Sequence, residues 1–221
     1  MGTAKRNLAS AALKSLSTED IAAYLDYNYI PFKKTQCVGR IFIVLLSGAG
    51  LCLIRERSLL WAVPVGLLSL LITAAFIVLM VRFSRLRISR YLCDGIFGIY
   101  IAVIMNLGAY RCTALQAGSS VLRLIAMLGL LLIWAAAFAA ITVSWIRAGK
   151  FSSSDPSKPN FWLPGLFVFA GMGLARVFLQ GRSQQTVFAV ITVGLLILSL
   201  VMGMTGSFLL KAWFCAKHMD E

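Results

Sequence analysis

Residues 121–146 read VLRLIAMLGLLLIWAAAFAAITVSWI, and Arg123 is the sole charge among them. A helix rises about 1.5 Å per residue, so roughly 20 apolar residues cross the ~30 Å hydrocarbon core of a bilayer. This stretch is long enough, and it has no polar face to turn toward water. In hydrocarbon every backbone N–H and C=O needs an internal partner, which leaves the helix and the closed barrel as spanning structures. An unbroken apolar run without polar alternation predicts the helix.

The same signal recurs along the chain. Apolar stretches cover residues 38–54, 59–81, 91–110, 121–146, 161–180 and 187–210. The last five meet the length requirement. The first is short, with Arg40 near its start and Arg55 just past its end. It either spans with local thinning and snorkelling arginines or re-enters on one side. Spanning is preferred because the charges then balance on both sides. The expected fold is all-α: a polytopic transmembrane helical bundle of about six spans with both termini cytoplasmic. Residues 1–37 form a cytoplasmic amino-terminal segment, 38–214 the membrane domain and 215–221 a short cytoplasmic tail.

Composition supports this class. The 221 residues are 60% hydrophobic and 13% charged, with a mean hydropathy of +0.86. Soluble domains carry about a quarter charged residues, so an ordinary soluble enzyme, a disordered chain and a disulfide-rich secreted domain are excluded. The net charge of +13 comes from 21 Lys+Arg against 8 Asp+Glu. No nucleic-acid motif accompanies it, so no nucleic-acid partner is expected.

The basic residues instead orient the chain. With the amino terminus inside, the inner segments hold Lys5, Arg6, Lys14, Lys33, Lys34, Arg40, Arg82, Arg85, Arg87, Arg90, Arg147, Lys150, Lys158, Lys211 and Lys217. The outer segments hold Arg55, Arg57, Arg111, Arg123, Arg176 and Arg182. That imbalance follows the positive-inside rule. Trp61, Trp145, Trp162 and Trp213 lie near span ends, as interfacial anchors do. The first residues lack the apolar core of a signal peptide, so insertion through the first span is expected.

One element precedes the spans. Ser17 can cap a helix whose first turn holds Glu19 and Asp20, and Ile21, Tyr24, Leu25 and Tyr29 follow at helical spacing until Pro31. The result is a short amphipathic helix with an acidic side. Anionic lipid repels that side. Docking on the chain's own basic loop, with Arg82, Arg85, Arg87 and Arg90, is the alternative to fraying in water.

Charges and polar groups at membrane depth are candidate transport or coupling residues. Asp94 is the sole carboxylate inside a stretch, and Arg90 stands one helical turn before it. Asn106 sits at mid-span, and Arg176 lies about a turn from an outer end. Arg40 and Arg123 stand close enough to span ends to snorkel. Small residues mark a candidate packing face: Ser199, Gly203 and Ser207 in the last stretch, with Gly171 and Ala175 in the fifth.

The five cysteines are scattered. A Cys52–Cys112 disulfide and a zinc set from Cys37, Cys93, Cys215 and His218 are the alternatives to free thiols, the default reading in a helical bundle. No cofactor and no metal site is expected. No phosphate-binding loop, H-E-x-x-H or G-x-S-x-G occurs, so no enzymatic activity is expected. The expected function is a non-catalytic integral protein of the cell membrane, acting as a membrane subunit or interaction partner of a larger assembly. The alternative is a small permease or channel for an ion or small solute. Expected partners are the lipid bilayer and other membrane subunits or further copies of the chain.

Overall fold

The computed structural model describes residues 18–27, 31–53, 59–82, 87–118, 120–151 and 183–218, with side chains omitted for 52–62. Among these residues the protein is helical throughout, with no strand. The helices are α1 (Thr18–Asp26), α2 (Lys34–Leu53), α3 (Leu59–Arg82), α4 (Arg87–Ala117), α5 (Val121–Arg147), α6 (Gln184–Gly203) and α7 (Ser207–His218). A 3-10 turn at Met204–Gly206 joins α6 to α7.

Four segments are long and apolar enough to cross a membrane: Val63–Arg82, Arg87–Ala117, Val121–Arg147 and Gln184–Lys217. The first apolar stretch forms α2, a helix of 20 residues, but it is not among the four. Its polar opening, from Lys34 to Arg40, dilutes the apolar run. The stretch at 161–180, with Gly171, Ala175 and Arg176, lies outside the described residues, as do Ser17, Tyr29 and Arg85.

Two boundaries differ from expectation for physical reasons. The third stretch extends well past 91–110 into a helix of 31 residues, about 46 Å long at 1.5 Å per residue. Helical backbone continues into the polar zone because nothing breaks it before Gly118, whose φ is +76°. The last stretch is not one continuous α-helix. Its 3-10 turn tightens the chain where Thr205 faces Gly98.

Helix α4 is the centre of the bundle. Its most apolar window is 56% buried, against 6% for the corresponding window of α5. One side of α4 packs on α2 and α3 through Cys37, Val44, Val65, Phe76, Tyr100 and Ile104. The other side meets α6 and α7. There Gly95 lies against Leu209, Gly98 against Thr205 and Gly108 against Leu195. A Cβ at Gly95 would stand 2.8 Å from Leu209 Cγ and 3.0 Å from the Leu209 backbone nitrogen, so the close approach favours glycine. Large apolar side chains point outward from the described helices, with Leu122 at 77% and Leu132 at 71% exposure. Surfaces of that kind suit hydrocarbon and not water.

The chain alternates direction. The start of α2, the end of α3, the start of α4, the end of α5 and the end of α7 meet at one end of the bundle, where α1 also sits. Cys37 faces Phe76, Arg87 binds Asp26, and Ile146 and Phe214 pack with Ile21 and Tyr24. At the opposite end the Gln116 amide donates to the Gln185 carbonyl at 2.9 Å.

Candidate functional site

The polar side chains of the described helices fall into layers, beginning at the α1 end. Nine residues make a marginal helix in isolation, so α1 depends on its docking. Ile21, Tyr24 and Leu25 are buried, which contributes roughly 5–9 kcal/mol before ordering costs. The carbonyls at its carboxyl end are capped by the bundle. Arg87 Nη2 donates to Leu25 O at 2.8 Å and pairs with Asp26 at 2.5 Å. The Tyr91 hydroxyl also donates to Leu25 O, and the Tyr24 hydroxyl donates to Ser207 O at 3.2 Å. Cations at a helix carboxyl end oppose its negative dipole. Burial, and after it the Tyr91 phenol, pushes the Tyr24 phenol above its ordinary value. The helix ends at Asp26, before Pro31, because these caps terminate it first.

Lys211 adds a second clasp. Its ammonium donates to Tyr27 O at 2.7 Å. Around it stand the rings of Tyr24 at 4.8 Å, Tyr91 at 5.6 Å, Tyr27 at 5.8 Å and Phe208 at 6.0 Å. Each such contact is worth about 0.5–2 kcal/mol. The expected contact between the acidic helix and the basic loop therefore runs through Arg87. Arg82, at the end of α3, is exposed.

Asp94 forms the next layer. Arg90 Nε pairs with its Oδ2 at 2.7 Å along α4. Arg40 of α2 pairs with its Oδ1. The Arg40 side chain is turned inward to this carboxylate, with the Phe97 ring 5.6 Å from its guanidinium carbon. This corrects the snorkelling expectation: a carboxylate within reach in low dielectric outcompetes the distant headgroups. Arg90 also donates to the Gln36 amide oxygen. Beside the cluster, Arg40 Nη1 lies 3.0 Å from Cys93 Sγ, which is 3.9 Å from Cys37 Sγ.

Tyr100 organises the layer beyond. Its hydroxyl donates to Val44 O at 2.9 Å and lies 2.9 Å from Ser69 Oγ; Ser47 Oγ donates to it at 3.3 Å. One phenol thus ties α2, α3 and α4 together. Gly48 makes room, because a Cβ there would collide with Ser69 Oγ.

Farther along, the bonds run toward α5 and α6. Asn106 Nδ2 donates to Met127 O at 3.2 Å, while its buried Oδ1 has no hydrogen-bond partner among the described residues. Ser199 Oγ donates to Ala102 O at 2.8 Å, and Trp134 Nε1 donates to Leu200 O at 2.9 Å. Gly203 is buried against Leu131 and Trp134. Ser199 and Gly203 therefore meet different helices, α4 and α5, and Ser207 offers its carbonyl to Tyr24. At the far end, Leu115, Gln116, Gln184, Gln185 and Phe188 line a recess of about 310 Å³.

The structure brings Asp94 and Arg90 together with Arg40, and keeps Asn106 apart from them. Sequence reading missed Arg40 as an ion-pair partner, Tyr100 as a hub and Lys211 as a clasp. It also missed a small-residue face on α4, although Gly95, Gly98 and Ala102 stand three and four apart. Cys37, Cys93, Cys112 and Cys215 are free thiols; the side chain of Cys52 lies outside those described. Among the described residues no group of three or more His, Cys, Asp or Glu could hold a metal ion. No family model, curated protein or solved structure matches the chain.

Proposed function

We propose that this protein is a non-catalytic integral membrane subunit of the cell membrane, crossing the bilayer six times with both ends cytoplasmic. The observation that carries the reading is how the polar groups at depth are used. Arg40, Arg90, Ser47, Ser69, Tyr100, Ser199 and Trp134 each bond to another protein group, most of them across a helix interface. Side chains committed in this way hold helices together and are not left to receive a solute.

Topology and charge support the crossing number. Phe151 packs against Tyr24 in a tilted arrangement, at 4.9 Å between ring centres, at the α1 end. Gln185 stands at the opposite end, against Gln116. The chain between them therefore changes sides, and it contains the apolar stretch at 161–180. With α2 counted as a crossing, the total is six. Arg111 and Arg123 are the basic side chains toward the far end among the described residues. Lys33, Lys34, Arg40, Arg82, Arg87, Arg90, Arg147, Lys150, Lys211 and Lys217 lie toward the α1 end. By the positive-inside bias this distribution supports a cytoplasmic α1.

Purification in a mild detergent tests the reading: a stoichiometric membrane partner is expected. A chain that purifies alone and conducts an ion or small solute in liposomes overturns it. In favour of the permease alternative stand the buried Asn106 Oδ1, Thr73 Oγ1 and Thr192 Oγ1, which have no hydrogen-bond partner among the described residues. It predicts that Asp94→Asn abolishes flux while leaving any partner bound.

A further inference from the structure

We propose that Cys37 and Cys93 are a reversible redox pair that oxidises to a disulfide joining α2 to α4, with hydrogen peroxide as the oxidant. Their sulfurs lie 3.9 Å apart across the interface between the two helices. A disulfide needs about 2.0 Å. Closing that gap moves each sulfur by roughly 1 Å, within the range of a side-chain rotation and a slight helix shift.

The two thiols are chemically unequal. Cys93 Sγ accepts a hydrogen bond from the Arg40 guanidinium at 3.0 Å, a cationic donor that faces this sulfur directly. Arg40 and Arg90 share the single carboxylate of Asp94, so the local balance is one positive charge in excess. Cys37 Sγ faces the Phe76 carbonyl at 3.6 Å, a group that favours the protonated thiol. Cys93 is therefore the attacking sulfur and Cys37 the resolving one.

The chemistry balances in two steps. Cys93 sulfur attacks one peroxide oxygen, the O–O bond breaks, and the departing hydroxide leaves as water with the thiol proton. Cys93 is then a sulfenic acid. Cys37 sulfur attacks it, an S–S bond forms, the S–O bond breaks, and a second water carries away the Cys37 proton. The two thiols lose two electrons and the peroxide gains them. Both cysteines are fully buried, which excludes bulky disulfides and restricts the oxidant to a small neutral one. The oxidised form fixes α2 to α4 beside the Arg40–Asp94 pair, whatever partner the protein serves.

The test uses the full chain in its native membrane: a hydrogen peroxide pulse, acid quench, alkylation in denaturant, digestion and mass spectrometry. A linked Cys37–Cys93 peptide, lost on treatment with dithiothreitol, is expected, with Cys215 still alkylated. Cys37→Ser is expected to accumulate a dimedone-reactive sulfenic acid at Cys93, whereas Cys93→Ser leaves Cys37 fully alkylated. Full alkylation of Cys37 and Cys93 after a dose that oxidises Cys112 overturns the proposal. So does a dimedone adduct on Cys37 in place of Cys93.

Discussion

Replacing Asp94 with asparagine keeps the shape of the side chain and deletes its charge. Two guanidiniums then lose their shared counter-ion. The side chains of Asp94 and Arg90 are 11% exposed and that of Arg40 is 16% exposed, so water does little to compensate. Removing one partner from a buried ion pair costs about 3–5 kcal/mol. Arg90 lies one turn from the start of α4 and can carry its head toward the polar zone, which sets the expectation near about 3 kcal/mol. Arg40→Met removes one arginine but leaves the Arg90–Asp94 pair intact, so its cost is smaller, about 1–2 kcal/mol. In the double variant no Arg40 charge is stranded. Its cost should fall short of the sum of the single variants by about 1 kcal/mol or more. Denaturant titration in mixed micelles, followed by circular dichroism, measures all three. Single variants that add without coupling, or an Asp94→Asn protein within about 0.5 kcal/mol of the parent, would refute the shared-carboxylate account.

Other perturbations probe separate contacts. Gly98→Ala sets a Cβ 2.5 Å from Thr205 Cβ and should cost about 1–3 kcal/mol by overpacking; Gly50→Ala meets nothing within 4 Å and should be neutral or slightly stabilising in the same titration. Arg87→Met removes the guanidinium bonds to Leu25 and Asp26 while leaving the Tyr91 bond to Leu25, and hydrogen exchange of the α1 amides should speed up about tenfold, equivalent to ~1.4 kcal/mol. No change in α1 exchange would place its stability in the apolar contacts and the Tyr24, Tyr91 and Lys211 bonds. The Tyr24 phenol is held above its ordinary value of 10.0 in the docked state, so that state retains a proton the free helix loses. The phenol's contribution to docking should therefore be lost as pH rises above about 10, by up to ~1.4 kcal/mol per unit. Tyr24→Phe should abolish that slope.

Particular residues show what could be read in advance. The Arg90–Asp94 pair was legible because both partners share one helix, where a spacing of four fixes their proximity. The amphipathic pattern of Ile21, Tyr24 and Leu25 was legible for the same reason. Arg40 was not, because its partner lies on another helix and the register between α2 and α4 follows from packing. Tyr100 gave little warning: a tyrosine at mid-span reads as one more apolar residue until Ser47 and Ser69 are brought to its hydroxyl. The small-residue face of α4 exists in the sequence as a spacing, with Gly95, Gly98 and Ala102 set among Ile96, Phe97, Ile99, Tyr100 and Ile101, whose bulk dominates the apolar pattern.

Hydrophobic length and one-dimensional charge order were enough to establish that this chain builds helices suited to hydrocarbon and where its arginines gather, because both are properties of consecutive residues. Which helix occupies the centre, which arginine meets the buried carboxylate and which two thiols face one another were decided by tertiary packing. Those outcomes depend on the rotation and register of one helix against another. Glycines at 48, 95 and 98 set that register by letting particular side chains approach, and a linear pattern does not specify which side chains those are.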